Sequence, residues 1–292
     1  MPLRSAPPPL PRVLGLLALG LLGGGCRGLP LRPGPPPPPV RFLVTFDDGP
    51  AVEDAGAGTE RVLATLAANP VQPGITGLFF VQTGWESPGA AAVGRDLLRR
   101  TLAAGHLLGL HGSGTAGHRE HPSLEPEALA ASLEAGAAEV VAAGSPPPTL
   151  VRPPNWRHVE GTRRIYRQAS LEMLLTDVAA FDGSLTQFQV DPDGGERIDR
   201  DLRCLRSRLE RGTVAPLDGV LPVVVTFHDT NPYTARHLAR YLAALVRSAR
   251  AAGFPVAEPP FYAGAAEAAR AAHARAASTH GWTNAFMRTC PD

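Results

Sequence analysis

Two apolar runs that end in the same way constrain this chain more than any other feature. Val40 to Phe46 reads as a buried strand that stops at Asp47 and Asp48, and Gly49-Pro50 then turns the chain. Far downstream, Val223-Val224-Val225-Thr226-Phe227 repeats the design and stops at His228 and Asp229. In barrels and open α/β sheets, chemistry gathers where parallel strands end, so the two stops look like two walls of one site. Neighbouring residues on a strand point to opposite faces, so Asp47 and Asp48 share a site only if one of them leaves strand geometry. Two carboxylates that close are costly unless a cation or a proton lies between them. Taken alone, Asp47-Asp48-Gly49 is equally a solvated strand-end turn.

Between and beyond these runs, strand-like and helix-like segments alternate. The other strand candidates are 75–82, 106–111, 149–152, 172–176 and a weak one at 254–256. Helical spacing covers 59–68, which stops before Asn69-Pro70, and 127–143, opened by Glu125-Pro126 and closed by Gly144. It recurs over 202–211 and 234–252. Repeated βα units imply a parallel sheet with helical cover. About seven such units without a Gly-rich dinucleotide fingerprint favour a barrel-like arrangement. An Ala/Arg-rich helix over 263–277 is expected on the outside of it. With 292 residues and 44% hydrophobic content the chain can bury a full core. A net charge of +1 with scattered arginines gives no electrostatic case for nucleic acid.

The N-terminal part reads as targeting rather than fold. Arg4 and Arg12 precede the apolar Val13–Leu22 segment, which is short for a membrane span, and Gly23-Gly24-Gly25-Cys26 follow. The order resembles a bacterial lipoprotein signal with Cys26 as the lipidated residue, although Leu22 stands four rather than three positions before it. Residues 1–26 are thus expected to be a signal segment and 27–39 a Pro-rich, semi-rigid linker. A catalytic domain is expected over 40–260, and a terminal helix and tail over 261–292. The expected location is the cell envelope after export, with membrane contact only through the lipid. Cys204 and Cys290 then remain as a pair or as two thiols.

Two further stretches carry chemistry. The strand ending at His111 opens into a Gly-rich loop with His118 and His121, and imidazoles so grouped suit a divalent metal. His106 lies on the apolar strand and reads as a core histidine. Val151-Arg152-Pro153-Pro154 ends the fourth strand and presents Arg152, whose planar fork suits a carboxylate such as Asp47; a surface Arg stacked on Trp156 is the alternative. Trp85 and Trp156 could stack on sugar rings, though packing is the commoner fate of Trp.

With these stretches in place the chain resembles the polysaccharide deacetylase family, the NodB-homology domain of carbohydrate esterase family 4. Thr45-Phe46-Asp47-Asp48-Gly49-Pro50 matches its first motif, His111 with a later His-Pro its second, Arg152-Pro153-Pro154 its third, and the strand ending in His228 its fifth. The resemblance spans roughly residues 40–254, in the family's order. It implies an α/β fold, a distorted, NodB-like (β/α) barrel of about seven units, that hydrolyses N-acetyl groups from a polysaccharide with a divalent metal, usually zinc. Asp48 would be a ligand with two histidines, Asp47 the general base, His228 the general acid, and Arg152 the residue that holds Asp47. The backbone amide of Asn155, with Trp156 beside it, would face the substrate. Two motifs depart from the pattern. The second has Thr115 where a histidine four after His111 is usual, so His121, followed by Pro122 and Leu124, is the expected second ligand, with His118 the alternative. The fourth is reduced to Thr176-Asp177 and Phe181-Asp182, of which Asp177 is the expected buttress of His228. A glycan-binding member without turnover, or a metal-dependent amidase or esterase on a non-sugar substrate, are the competing readings. Peptidoglycan, chitin-like oligomers and exopolysaccharide are all reachable substrates for an anchored, exported domain.

Overall fold

The long run at the start of the folded chain becomes the middle of the sheet. A computed structural model describes residues 36–86, 88–113, 116–180, 182 and 195–278. The chain divides into two units, 1–36 and 37–292, and the fold described below is that of the second. The signal-like segment, Cys26 and most of the Pro-rich linker lie outside the described residues, as do Thr115, Phe181 and Cys290. Cys204 is disulfide-bonded.

The strands are β1 (Val40–Asp47), β2 (Gly77–Gln82), β3 (Leu107–Gly112), β4 (Leu150–Val151), β5 (Glu172–Met173), β6 (Val178–Ala179), β7 (Leu221–His228) and β8 (Val256–Phe261). They lie in the order β5-β4-β3-β2-β1-β7-β6, and β8 pairs with β1. Every pairing between these strands is parallel. β7 pairs along the whole of β1, whereas the other edge of β1 is shared, Val44–Asp47 by β2 and Val40 and Phe42 by β8. The result is the expected α/β architecture, a parallel sheet curled into a half-barrel.

Among the described residues the α-helices are α1 (Ala57–Ala67), α2 (Ala90–Ala103), α3 (Pro126–Ala142), α4 (Glu160–Gln168), α5 (Gly195–Glu210), α6 (Pro232–Ala251) and α7 (Ala265–Ser278). α3 starts on its proline, where the missing N–H costs no helical bond. α6 begins after Asn231, whose side chain accepts from the backbone N–H of Tyr233 and Thr234. Sequence periodicity did not single out α2 or α4. One is Ala-rich with Gly94 inside it, the other is nine residues long and mostly polar.

Alternation along the strands splits the core in two. Phe42, Val44 and Phe46 face one way with Phe79, Val81, Val223, Val225 and Phe227, and the buried residues of α1 to α6 pack on that side. Leu43, Leu78, Phe80, Leu150, Leu174 and Val224 face the other way, and what fills that side is α7, through Ala268, Ala271, Ala272 and Ala276. The terminal helix is therefore not an outer cover as its composition suggested. Alanine is small enough to enter the concave face of a curled sheet, where Leu or Phe would not fit.

Candidate metal and acid–base site

The register of β1 against β7 sets Asp47 opposite His228 and Thr45 opposite Thr226, so both chemical strand ends finish at one level. Asp47 continues the strand and points to the interior. Asp48 leaves strand geometry with φ of 69°, and this swings its carboxylate round to the same mouth. Gly49 follows because nothing larger fits: a Cβ there would lie 2.2 Å from Oδ1 of Asp229. Asp229 itself is fully buried and accepts a 2.6 Å hydrogen bond from Thr59 Oγ1; burial pushes its carboxyl up to about 7.

Asp48 Oδ1 faces two imidazoles, His111 Nε2 at 3.0 Å and His118 Nε2 at 2.9 Å. His111 Nδ1 lies 2.8 Å from the carbonyl oxygen of Arg152, which can only accept, so the Nδ1–H donates there. The Nε2 of that imidazole then carries a lone pair aimed at a carboxylate oxygen, an arrangement satisfied only by a proton or a cation. Asp48 Oδ1 is buried and has no hydrogen-bond donor of the ordinary kind. Burial would raise Asp48, but the facing imidazoles of His111 and His118, with His228 behind them, outweigh it and hold the carboxyl well below the usual range. One carboxylate and two imidazoles with ligand atoms within 4.8 Å of one another are a donor set that fits a divalent cation.

The structure puts His118, not His121, in this group. His121 is buried at 2% exposure, and its Nδ1 meets the Tyr166 hydroxyl at 2.6 Å. Burial pushes that imidazole down to about 3, so it stays neutral as a support beneath the loop. The chain between His111 and His121 is long enough to fold His118 back over Asp48, a path that spacing alone does not reveal.

Arg152 is completely buried, not a surface residue on Trp156; its guanidinium lies 4.1 Å over the Phe80 ring and its Nη1 donates to Asp47 Oδ1 at 2.8 Å. His228 Nε2 lies 3.7 Å from Asp48 Oδ2. Its Nδ1 meets Asp182 Oδ1 at 2.7 Å, and Asp182 Oδ2 accepts from the His228 backbone N–H and from Thr234 Oγ1. Burial alone would lower His228, but the charge and hydrogen bond of Asp182, with Asp47 and Asp48 behind them, push it up to about 9. Asp182 thus holds the place expected of Asp177. Asp177 instead accepts from Arg208 and Arg275 and from the Val224 backbone N–H, tying α5 and α7 to β7. Asn155 and Trp156 both adopt left-handed backbone, with φ of 52° and 53°; Asn155 is exposed and Trp156 packs against the outer core.

A groove of about 430 Å³ opens from Asp48 between the segments after β1, β2 and β7, and is walled by Pro50, Glu53, Gln82, Trp85 and Thr230 among others. Trp85 is fixed there by packing on Gly94 of α2, where a Cβ would come within 2.5 Å of the indole.

The half-barrel thus gathers acid, imidazole and guanidinium groups at the ends of its strands. Residues 35–174 match the family model of polysaccharide deacetylases. Among solved structures the chain is similar to a chitin deacetylase from Colletotrichum lindemuthianum, with 18% identity, 76% of this chain and 85% of that chain covered, and a TM-score of 0.55. It is also similar to the peptidoglycan deacetylase PdaC from Bacillus subtilis, at 16% identity, 84% and 98% coverage and a TM-score of 0.50. A family 4 pseudoenzyme from Bacillus anthracis stands beside them at 15% identity, 75% and 64% coverage and a TM-score of 0.50. At these identities the likeness establishes the fold, and what the site does must be argued from its residues. No curated protein matches the chain in sequence.

Proposed function

We propose that the protein removes N-acetyl groups from an N-acetylated polysaccharide, using a divalent ion held by Asp48, His111 and His118. Zinc is the ion that two imidazoles and one carboxylate suit best. When bound, such an ion supplies Lewis-acid polarisation of the amide carbonyl and eases deprotonation of water. Asp47, held in place by Arg152, takes a proton from the attacking water as oxygen bonds to the acetyl carbon. The C–N bond then breaks, and His228 gives its Nε2 proton to the departing amine. Acetate and a free amino sugar result. Asp182 on Nδ1 keeps His228 in the protonated form this needs. The backbone amide of Asn155, at the end of the Arg152-Pro153-Pro154 turn, is assigned to the substrate carbonyl, and the groove beside Asp48 to the glycan.

The observation that carries this reading is the β1–β7 register: it brings a carboxylate held by an arginine and an imidazole held by a carboxylate to the two sides of Asp48. Export, with lipid on Cys26, belongs to the same proposal, since polymers of this kind lie in the cell envelope.

The test is acetate release from N-acetylglucosamine oligomers after chelation and again after zinc is restored. Asp47→Asn should keep zinc and lose about a hundredfold or more in rate, the usual share of a general base. Zinc binding without acetate release would move the search to non-sugar amides and esters. The lengthened loop that carries His118 favours one other reading, a glycan-binding protein without turnover, and absence of zinc binding would put that first.

A further inference from the structure

The duplicated Thr-Phe that precedes both strand ends has a role that acid–base assignments leave unused. In the β1–β7 register Thr45 faces Thr226, and both are buried, at 0% and 1% exposure. Their hydroxyl oxygens are 3.3 Å apart, and Arg152 Nη1 donates to Thr45 Oγ1 at 2.6 Å. Thr45 has one hydrogen, and it goes to the Val225 carbonyl at 2.8 Å, an obligate acceptor. Thr45 Oγ1 is therefore the acceptor toward the guanidinium, and Thr226 is left as the donor to the same oxygen. The remaining guanidinium contacts are Nε to the Leu174 carbonyl at 3.0 Å and Nη2 to the Leu175 carbonyl at 3.4 Å. Phe80 supplies the stacking face, and its ring fits because Gly109 lies beneath it, where a Cβ would come within 2.8 Å.

We infer that Thr45, seconded by Thr226, is a positioning residue that aims Arg152 at Asp47. Nη1 carries two hydrogens, and the two acceptors they find are Thr45 Oγ1 and Asp47 Oδ1. With the first fixed, rotation about the Cζ–Nη1 bond is stopped, and the second hydrogen points to the carboxylate. Remove the hydroxyl, and Nη1 sits against a methyl group inside the sheet, so the fork must turn to recover an acceptor. The inference rests on the reading of Asp47 as general base, but the orientation of Arg152 can be measured without it.

The experiment compares the full chain with Thr45→Val and Thr45→Ser. Thr45→Val should lower kcat for acetate release tenfold or more with KM within twofold, because substrate contacts are untouched, and Thr45→Ser should return to within threefold of native. In the metal-free protein the two Nη1 protons of Arg152 should give separate NMR signals, merge in Thr45→Val and separate again in Thr45→Ser. Unchanged kcat in a folded Thr45→Val protein, or a lost kcat with the Arg152 signals unmoved, would overturn the inference. If no variant and no native protein releases acetate, the functional reading fails, and the NMR comparison alone decides whether Thr45 aims Arg152. Should Thr45→Val not fold, Thr226→Val is read in the same two ways, with a threefold loss expected and no change overturning.

Discussion

At the residue scale, two histidines of one sequence neighbourhood are put to opposite uses by the groups they face. Both are buried, but His111 faces a carboxylate and is held by a carbonyl, whereas His106 sits in the outer core with Phe79 at 5.5 Å and accepts the Gly77 backbone N–H at 3.1 Å. Burial pushes His106 down from 6.5 to about 4, so the folded protein carries it neutral while the unfolded chain would protonate it. Between these two values the unfolded state binds more protons, so stability rises with pH there and is lost as pH falls from about 6.5 to about 4. The contribution is of the order of 3 kcal/mol or less. His106→Asn keeps an acceptor near the Nδ1 position and cannot ionise. Urea unfolding between pH 4 and 7 should therefore show a flatter pH dependence for this variant than for the native chain, and equal slopes would show that His106 is not the group responsible. The sequence marks His106 as a core residue by its apolar neighbours, and in this case type and context suffice.

At the element scale, the segment joining β3 to α3 decides which imidazoles meet Asp48. Its residue types announce a metal site, but its path does not follow from spacing, because a loop of Gly and polar residues has no periodicity to read. Tyr166, on α4, is what captures His121, and nothing near His121 in sequence points to it. His118→Ala should weaken zinc binding about a hundredfold or more by titration calorimetry, in line with the loss of one of three ligands. His121→Ala should keep binding within about tenfold and instead lower stability by about 1–3 kcal/mol, since it orphans the buried Tyr166 hydroxyl. The reverse ranking would return His121 to the donor set. The same limit explains the exchange of Asp177 for Asp182. Both follow the short fifth strand, five residues apart, and only the placement of β6 beside β7 shows which carboxylate reaches His228.

On the scale of the whole molecule, the concave side of the sheet is closed by a helix from the chain's far end. α7 could be recognised as a helix from its alanines, but composition suggested an outer position, and the sheet's curvature reverses that. Small side chains at 268, 271, 272 and 276 are what allow the helix to approach Leu43, Leu78 and Val224. Asp177 then anchors it through Arg275, a pair buried with Arg208. Ala272→Leu forces added methylenes into that contact and should destabilise by about 1–3 kcal/mol. A drop of several degrees in thermal midpoint is expected, with Ala266→Leu, on the exposed side, as the unaffected control. Equal midpoints would mean that α7 does not fill the concave face.

The sequence by itself determined the class of fold and the inventory of chemistry. Buried runs alternating with helical periods admit little besides a covered parallel sheet, and runs that stop at Asp47-Asp48, His111, Arg152 and His228 put those groups at one edge, since parallel strands all end on the same side. Tertiary structure alone decided the pairings. Asp48 joins the site through one left-handed residue, His118 through a returning loop, Asp182 through a strand of two residues, and Thr45 through a partner far downstream in the chain. Strand ends are set by the period of burial, which is local. The partner of a polar side chain depends on where other elements pass, and that is settled only when the sheet has curled and the helices have packed on both of its faces.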